Sequence, residues 1–339
     1  MGLRRGAFTE PGLHRNQSAE FDVVVEVNAQ GFVDAAWGPK MPGRRRVVLL
    51  GDSFVQAAQV PTGAGLGRQL DALLGPEVEV LSLGVPGAGT ATARALLRDT
   101  ALGLEPDLVV VGFLLANDVF NNDPRLDTKP DKPYLRWVGG RLVPWSQAEA
   151  ALSGPGASGL QRGIGALAGG RLWQNSALVR AVGRRLGGAA EARRQVEAGG
   201  GLPAPLRVHD PRLPAPWPEA WETSAALLAD MAQTCKENNV AFGLLLLADA
   251  PMVEAVAQAE QARRWPEAAA LDWGFARAEA LRRFSPVAPT VDLSPALITA
   301  SAEGAPLYFP IDGHFTARGH AAAAAAAAPA VAGWLAARP

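Results

Sequence analysis

The feature that most constrains the fold is a set of short runs with no polar face. Residues 47–50 read Val-Val-Leu-Leu, stop at Gly51, and have counterparts at 78–83, 108–115, 240–247 and, more weakly, 290–293. A strand with one wet face alternates apolar and polar residues. Runs apolar on both faces suit parallel strands covered by helices. Helix-length segments lie between them at 65–74, 90–102, 220–238 and 253–284, and a closing helix is expected over 316–337. This β-α-β-α-β alternation predicts a doubly wound parallel sheet.

With 339 residues, 48% of them hydrophobic, the chain suffices for one large α/β domain and an added lobe. Residues 1–45 are read as an N-terminal extension, with a strand at Phe21-Asp22-Val23-Val24-Val25-Glu26-Val27 and a turn at Asn28-Ala29-Gln30-Gly31. Residues 46–122 and 220–339 form the core, and 123–219 an insertion. The insertion opens with a hairpin between Tyr134 and Pro144, Gly139-Gly140 at its turn, followed by Gly- and Ala-rich helical segments and a Pro-rich linker. Placed after the third core strand, it lies where ligands bind in such sheets, so it is either a lid or a packing lobe.

The formal net charge of -1 leaves no footprint for nucleic acid or an anionic membrane. Arg44-Arg45-Arg46 and Arg184-Arg185 are read as solvated surface, and the single cysteine, Cys235, as a packed helix residue. One Cys and four His argue against structural zinc, and no metal or cofactor is expected. No stretch is apolar enough to span a bilayer; the 321–328 alanine run is weakly hydrophobic and Pro329 interrupts it. Basic residues near Met1 have no apolar segment behind them, so the chain as written is expected in the cytoplasm, or outside it if an export segment is missing.

Four short motifs carry chemistry. Gly51-Asp52-Ser53-Phe54 follows the first core strand, where backbone N–H groups favour developing negative charge; Ser53 is either a nucleophile or a helix cap there. Val55 stands where the G-x-S-x-G elbow needs its second glycine. Gly84-Val85-Pro86-Gly87-Ala88-Gly89-Thr90 has P-loop glycine spacing but neither the Lys that must follow nor the third dinucleotide glycine, Thr92 standing in its place. What survives is a loop with backbone N–H groups usable as oxyanion donors. Asn117, after the third strand, either aims its amide into the same cleft or serves as a turn residue. Asp312-Gly313-His314, before the last helix, can set a carboxylate beside an imidazole and fix its tautomer. His320 is expected to be packed or capping, and His14 and His209 are given no role.

In order along the chain, these motifs resemble the blocks of the SGNH/GDSL hydrolase superfamily. Gly51-Asp52-Ser53 matches the nucleophile block, Gly87 the oxyanion glycine, Asn117-Asp118 the asparagine block and Asp312-Gly313-His314 the terminal block. Leu115 departs from the glycine usual two residues before the asparagine. The Asp-x-His spacing, in place of Asp-x-x-His, resembles the branch that contains polysaccharide O-acetyltransferases. The resemblance covers roughly 46–122 and 220–339. It implies a flavodoxin-like three-layer α/β/α sandwich and a serine esterase acting on small acyl esters, acetyl on a carbohydrate among them. Ser53, His314 and Asp312 would form the triad; the Ser53 and Gly87 N–H groups and the Asn117 side chain would form the oxyanion hole. An O-acetyltransferase using the same triad and a non-catalytic carbohydrate-binding or scaffold module are the alternatives. Trp137, Trp145, Trp173, Trp217 and Trp221 fall in or beside the insertion, as a sugar platform or as anchors for the lobe.

Overall fold

The computed structural model describes residues 10–127, 132–146 and 202–337. Among the described residues nine strands run β1 Gly12–Gln17, β2 Asp22–Val27, β3 Arg45–Gly51, β4 Val78–Gly84, β5 Leu108–Leu114, β6 Leu135–Val138, β7 Arg141–Pro144, β8 Ala241–Leu247 and β9 Thr290–Asp292. The helices are α1 Ser53–Gln56, α2 Leu66–Leu74, α3 Thr90–Leu96, α4 Ala204–Arg207, α5 Trp217–Glu237, α6 Ala250–Val253, α7 Ala255–Arg264, α8 Phe275–Phe284, α9 Ser294–Ser301 and α10 Ala317–Ala336.

The five apolar runs become one parallel sheet in the order β4-β3-β5-β8-β9. All seven residues of β5 are buried, as a central strand covered on both faces requires. Helices α2 and α10 pack together on the sheet, as do α3 and α5, giving the α/β/α layering. Each fully buried Leu or Val in such a core contributes about 1.5–3 kcal/mol. The chain leaves β3 toward β4 on one side and returns to β5 on the other, so β3 is the switch point of the sheet. Gly51 ends β3 level with Gly84 of β4, and Ser53 follows two residues beyond it. Only glycine fits at 84: a Cβ there would stand 2.1 Å from the Gln56 backbone nitrogen in α1.

Several elements differ from their expected form for identifiable reasons. The 253–284 segment is not one helix, because Glu254 is extended and Trp265, forced out of the α region by Pro266, ends α7. The 90–102 segment leaves the α form after Leu96, passing through a π-helical turn at Leu97–Ala101. The closing helix expected over 316–337 is present as α10, which continues through Pro329. Arg44, Arg45 and Arg46 are not a solvated patch. Arg46 is 3% exposed, pairs with Glu79 at 2.8 Å, and donates to the Leu104 and Gly38 carbonyls. Arg44 and Arg45 donate to the carbonyls of Val78 and Leu335. These guanidiniums satisfy carbonyls at the amino edge of the sheet. Arg184 and Arg185 lie outside the described residues.

The strand expected near Phe21 is β2, and its antiparallel partner β1 forms a hairpin with it. Of the insertion, the described parts are the β6–β7 hairpin, whose turn glycines Gly139 and Gly140 both have positive φ, and the segment leading into α5. The hairpin is tied to α5 through Glu219, which takes both Arg125 and Arg136. Most of the insertion, Trp173 included, lies outside the described residues. Trp217 and Trp221 are core residues of α5, while Trp145 lies beneath the guanidiniums of Arg125 and Arg136. Among the described residues no helix is long and apolar enough to cross a membrane.

Candidate active site

Ser53 opens α1, a helix of one turn that ends at Ala57 in the left-handed region. So short a helix sums few peptide dipoles, and local N–H groups outweigh any macrodipole at this position. Asp52 is fully buried beneath it and caps the turn, its Oδ1 accepting the Phe54 N–H at 2.9 Å. Burial pushes the Asp52 carboxyl above its ordinary range, against the pull of that N–H and of nearby His314. Phe54 packs its ring against His314, with centroids 5.0 Å apart.

His314 comes from the other end of the chain. The loop before α10 is closed by Phe309 N–H donating to His314 O at 2.9 Å and Gly313 N–H donating to Phe309 O at 2.8 Å. Gly313 takes φ +83, a conformation costly for other residues, which lets the Asp312 side chain fold back over a two-residue spacing. The His314 Nδ1–H then donates to Asp312 Oδ1 at 2.6 Å, and the Ser53 hydroxyl donates to Nε2 at 2.7 Å. Such a carboxylate only accepts, so the proton sits on Nδ1 and Nε2 is the free base.

The other two motifs flank this pair because β4 and β5 flank β3. Gly87, φ +66, lies in a turn closed by Ala88 N–H to Val85 O, and its own N–H makes no backbone–backbone hydrogen bond among the described residues. The Ser53 N–H, first in its helix, has no intrahelical acceptor. Asn117 is half-buried and turns one amide N–H toward Asp52 Oδ2 at 3.4 Å, leaving the second N–H for the cleft. The sheet thus brings Ser53, His314 and Asp312 into one hydrogen-bonded row. It sets Gly87 and Asn117 on the neighbouring strand ends.

The glycine loop offers no nucleotide site. The N-terminus of α3 is filled by Asn122, whose Oδ1 accepts the Ala91 N–H at 3.1 Å while its amide donates to Thr90 and Ser224. A Cβ on Gly89 would already lie 2.8 Å from that Oδ1, so a phosphate has no room.

Sequence reasoning gave no separate role to Asp118, named only within the asparagine block, and missed Asn122 and Glu20. Asp118 is fully buried, with Oδ2 accepting the Leu114 N–H and Oδ1 unpartnered; burial, then the neighbouring Asp52, push it well above the ordinary carboxylate range. Asn122 carries no motif that marks it as a helix plug. Glu20, in the β1–β2 turn, accepts two N–H groups of the acid–base loop. No local pattern points to a contact across so much chain. His320 is packed as expected: 1% exposed, against Phe315, its imidazole pushed down to about 3 by burial and then by His314. His14 lies on the hairpin near Glu10, and His209 is buried beside Trp273. Cys235 is buried, its thiol pushed up to about 12 by desolvation. Among the described residues no three His, Cys, Asp or Glu side chains gather as metal ligands.

No family model and no curated protein matches the chain. Solved structures that do include a GDSL-like lipase from Bacteroides thetaiotaomicron, at 13% identity and TM-score 0.37, covering 88% of this chain and 92% of that one. A lipase/acylhydrolase from Enterococcus faecalis matches at 16% identity and TM-score 0.40, over 85% and 96% of the two chains. A carbohydrate acetylesterase family member from Sinorhizobium meliloti matches at 15% and 0.35, over 86% and 99%. At such values these likenesses assign nothing to the site, whose chemistry is read from its own residues and distances.

Proposed function

We propose that the chain is a serine esterase in which Ser53 attacks small acyl esters, acetyl on a carbohydrate among them. The observation that carries this reading is the continuous row from the Ser53 hydroxyl through His314 to Asp312, at 2.7 and 2.6 Å. As Oγ adds to the ester carbonyl, its proton passes to His314 Nε2, and Asp312 stabilises the imidazolium. The Ser53 and Gly87 N–H groups and the Asn117 amide receive the oxyanion. Collapse expels the alcohol, which takes the proton from Nε2, and leaves an acyl-Ser53. A water, deprotonated by the same imidazole, then releases the acid. A sugar hydroxyl in place of water would make the same cycle a transfer.

Hydrolysis of p-nitrophenyl esters from acetyl to octanoyl, by wild type beside Ser53→Ala, tests the reading. Turnover lost in the variant and greatest for acetyl supports it, whereas equal rates in both proteins remove Ser53 from the chemistry. Turnover that rises when a sugar acceptor is added, with ester product, reassigns the reaction as transfer.

A further inference from the structure

We infer that Glu20 is the positioning residue of the acid–base loop, through which the N-terminal hairpin holds Asp312 and His314 in register with Ser53. This rests on the esterase reading and concerns how its triad is kept assembled. The Glu20 carboxylate accepts the Ile311 N–H on Oε1 at 2.9 Å and the Asp312 N–H on Oε2 at 2.6 Å. Both oxygens therefore grip consecutive backbone amides, one of them belonging to the triad acid itself. Charge-assisted pairs of this kind are stronger and more directional than neutral bonds.

Glu20 is presented by a locked turn. The Ser18 hydroxyl accepts the Glu20 and Phe21 N–H groups at 3.1 and 3.3 Å, and Ser18 N–H donates to Phe21 O at 2.8 Å. Phe21 packs at a tilt against Phe309, the residue that closes the loop, with ring centroids 5.2 Å apart. The same hairpin is fastened to the segment just beyond the nucleophile. Asn16 donates to the Ala58 carbonyl at 2.7 Å, and the Glu26 N–H donates to Thr62 Oγ1 at 2.7 Å. One side of the hairpin thus grips the chain that follows Ser53 and its turn grips the chain that carries Asp312. Beyond the sheet and the Phe54–His314 contact, it is a further physical link between the two halves of the triad.

Glu20 is partly exposed and touches no reacting atom, so its loss should misplace the dyad without unfolding the protein. A displacement of an ångström at reacting groups costs on the order of a hundredfold in rate, and a loosened loop a fraction of that. The test compares Glu20→Ala, Glu20→Gln and wild type by kcat and KM on p-nitrophenyl acetate, by Tm, and by the rate at which a fluorophosphonate modifies Ser53. In Glu20→Ala, kcat and the Ser53 modification rate are expected to fall together by roughly ten- to a hundredfold, with KM within about twofold. Glu20→Gln, whose carbonyl oxygen still accepts an N–H, should recover a large part of both. A purely structural role would lower Tm and leave the modification rate at 25 °C unchanged, which overturns the inference. So does a rise in KM at constant kcat, which would make Glu20 a substrate contact. Wild type whose Ser53 resists the fluorophosphonate sinks the esterase reading itself. Equal modification of wild type and Glu20→Ala sinks only the role of Glu20.

Discussion

Ser53 and His314 lie 261 residues apart in the chain, yet their Oγ and Nε2 atoms stand 2.7 Å apart at the carboxyl edge of the sheet. The approach is built from both sides. A one-turn helix after β3 aims the hydroxyl, and a loop closed on Phe309 aims the imidazole. Each consequence of that arrangement has its own measurement.

Asp312→Asn keeps the shape of the loop but presents an amide to His314 Nδ1. If the amide N–H₂ donates there, the imidazole proton moves to Nε2 and the Ser53 proton has no acceptor. On p-nitrophenyl acetate kcat is expected to fall by about 10³–10⁴ with little change in Tm. A loss of less than tenfold would mean that Asp312 does not set the tautomer.

Asn117→Ala removes one proposed oxyanion donor and the 3.4 Å contact to Asp52. A decrease of about 10²–10³ in kcat is expected, with KM nearly unchanged, because the interaction is made mainly in the transition state. Wild-type turnover would take Asn117 out of the mechanism and leave it as a turn residue.

Asp118 carries a pH signature in stability. Burial and Asp52 hold its carboxyl well above the ordinary value, so the folded state binds its proton more tightly than the unfolded chain does. Its contribution is full below the unfolded value, about 3.9, and is lost as pH rises through the folded one. Asp118→Asn keeps an acceptor for the Leu114 N–H and cannot ionise. Its Tm relative to wild type should therefore climb from pH 4 upward; a difference that stays flat with pH contradicts the assignment.

His320 works in the opposite sense. Its folded value of about 3 lies below the ordinary 6.5, so the stability tied to the neutral ring is present above 6.5 and is lost as pH falls toward 3. In His320→Leu, thermal unfolding followed from pH 7 to 3 should show a shallower acid decline than wild type. An identical decline would place the acid sensitivity elsewhere.

What the sequence made legible follows physical range. The apolar runs 47–50, 108–115 and 240–247 announce central strands because burial on both faces leaves a local composition. Ser53, Gly87, Asn117 and Asp312-Gly313-His314 are visible because each sits at a strand end or helix start, where turn chemistry is local. Arg46 was misjudged as solvated, since its carbonyl partners Leu104 and Gly38 are set by the fold and not by neighbours in sequence. Glu20 and Asn122 were invisible for the same reason, joining elements 291 and 31 residues away. The break at Trp265-Pro266 was readable from the proline and was overlooked.

The most direct measurement of the central claim is to treat the protein with a fluorophosphonate and locate the adduct by peptide mass spectrometry. A single adduct on Ser53, formed at a rate that tracks the loss of esterase activity and is sharply slowed in His314→Ala, is the expected result. Persistent ester hydrolysis with Ser53 unmodified, or an adduct on another residue that accounts for the inactivation, would contradict it.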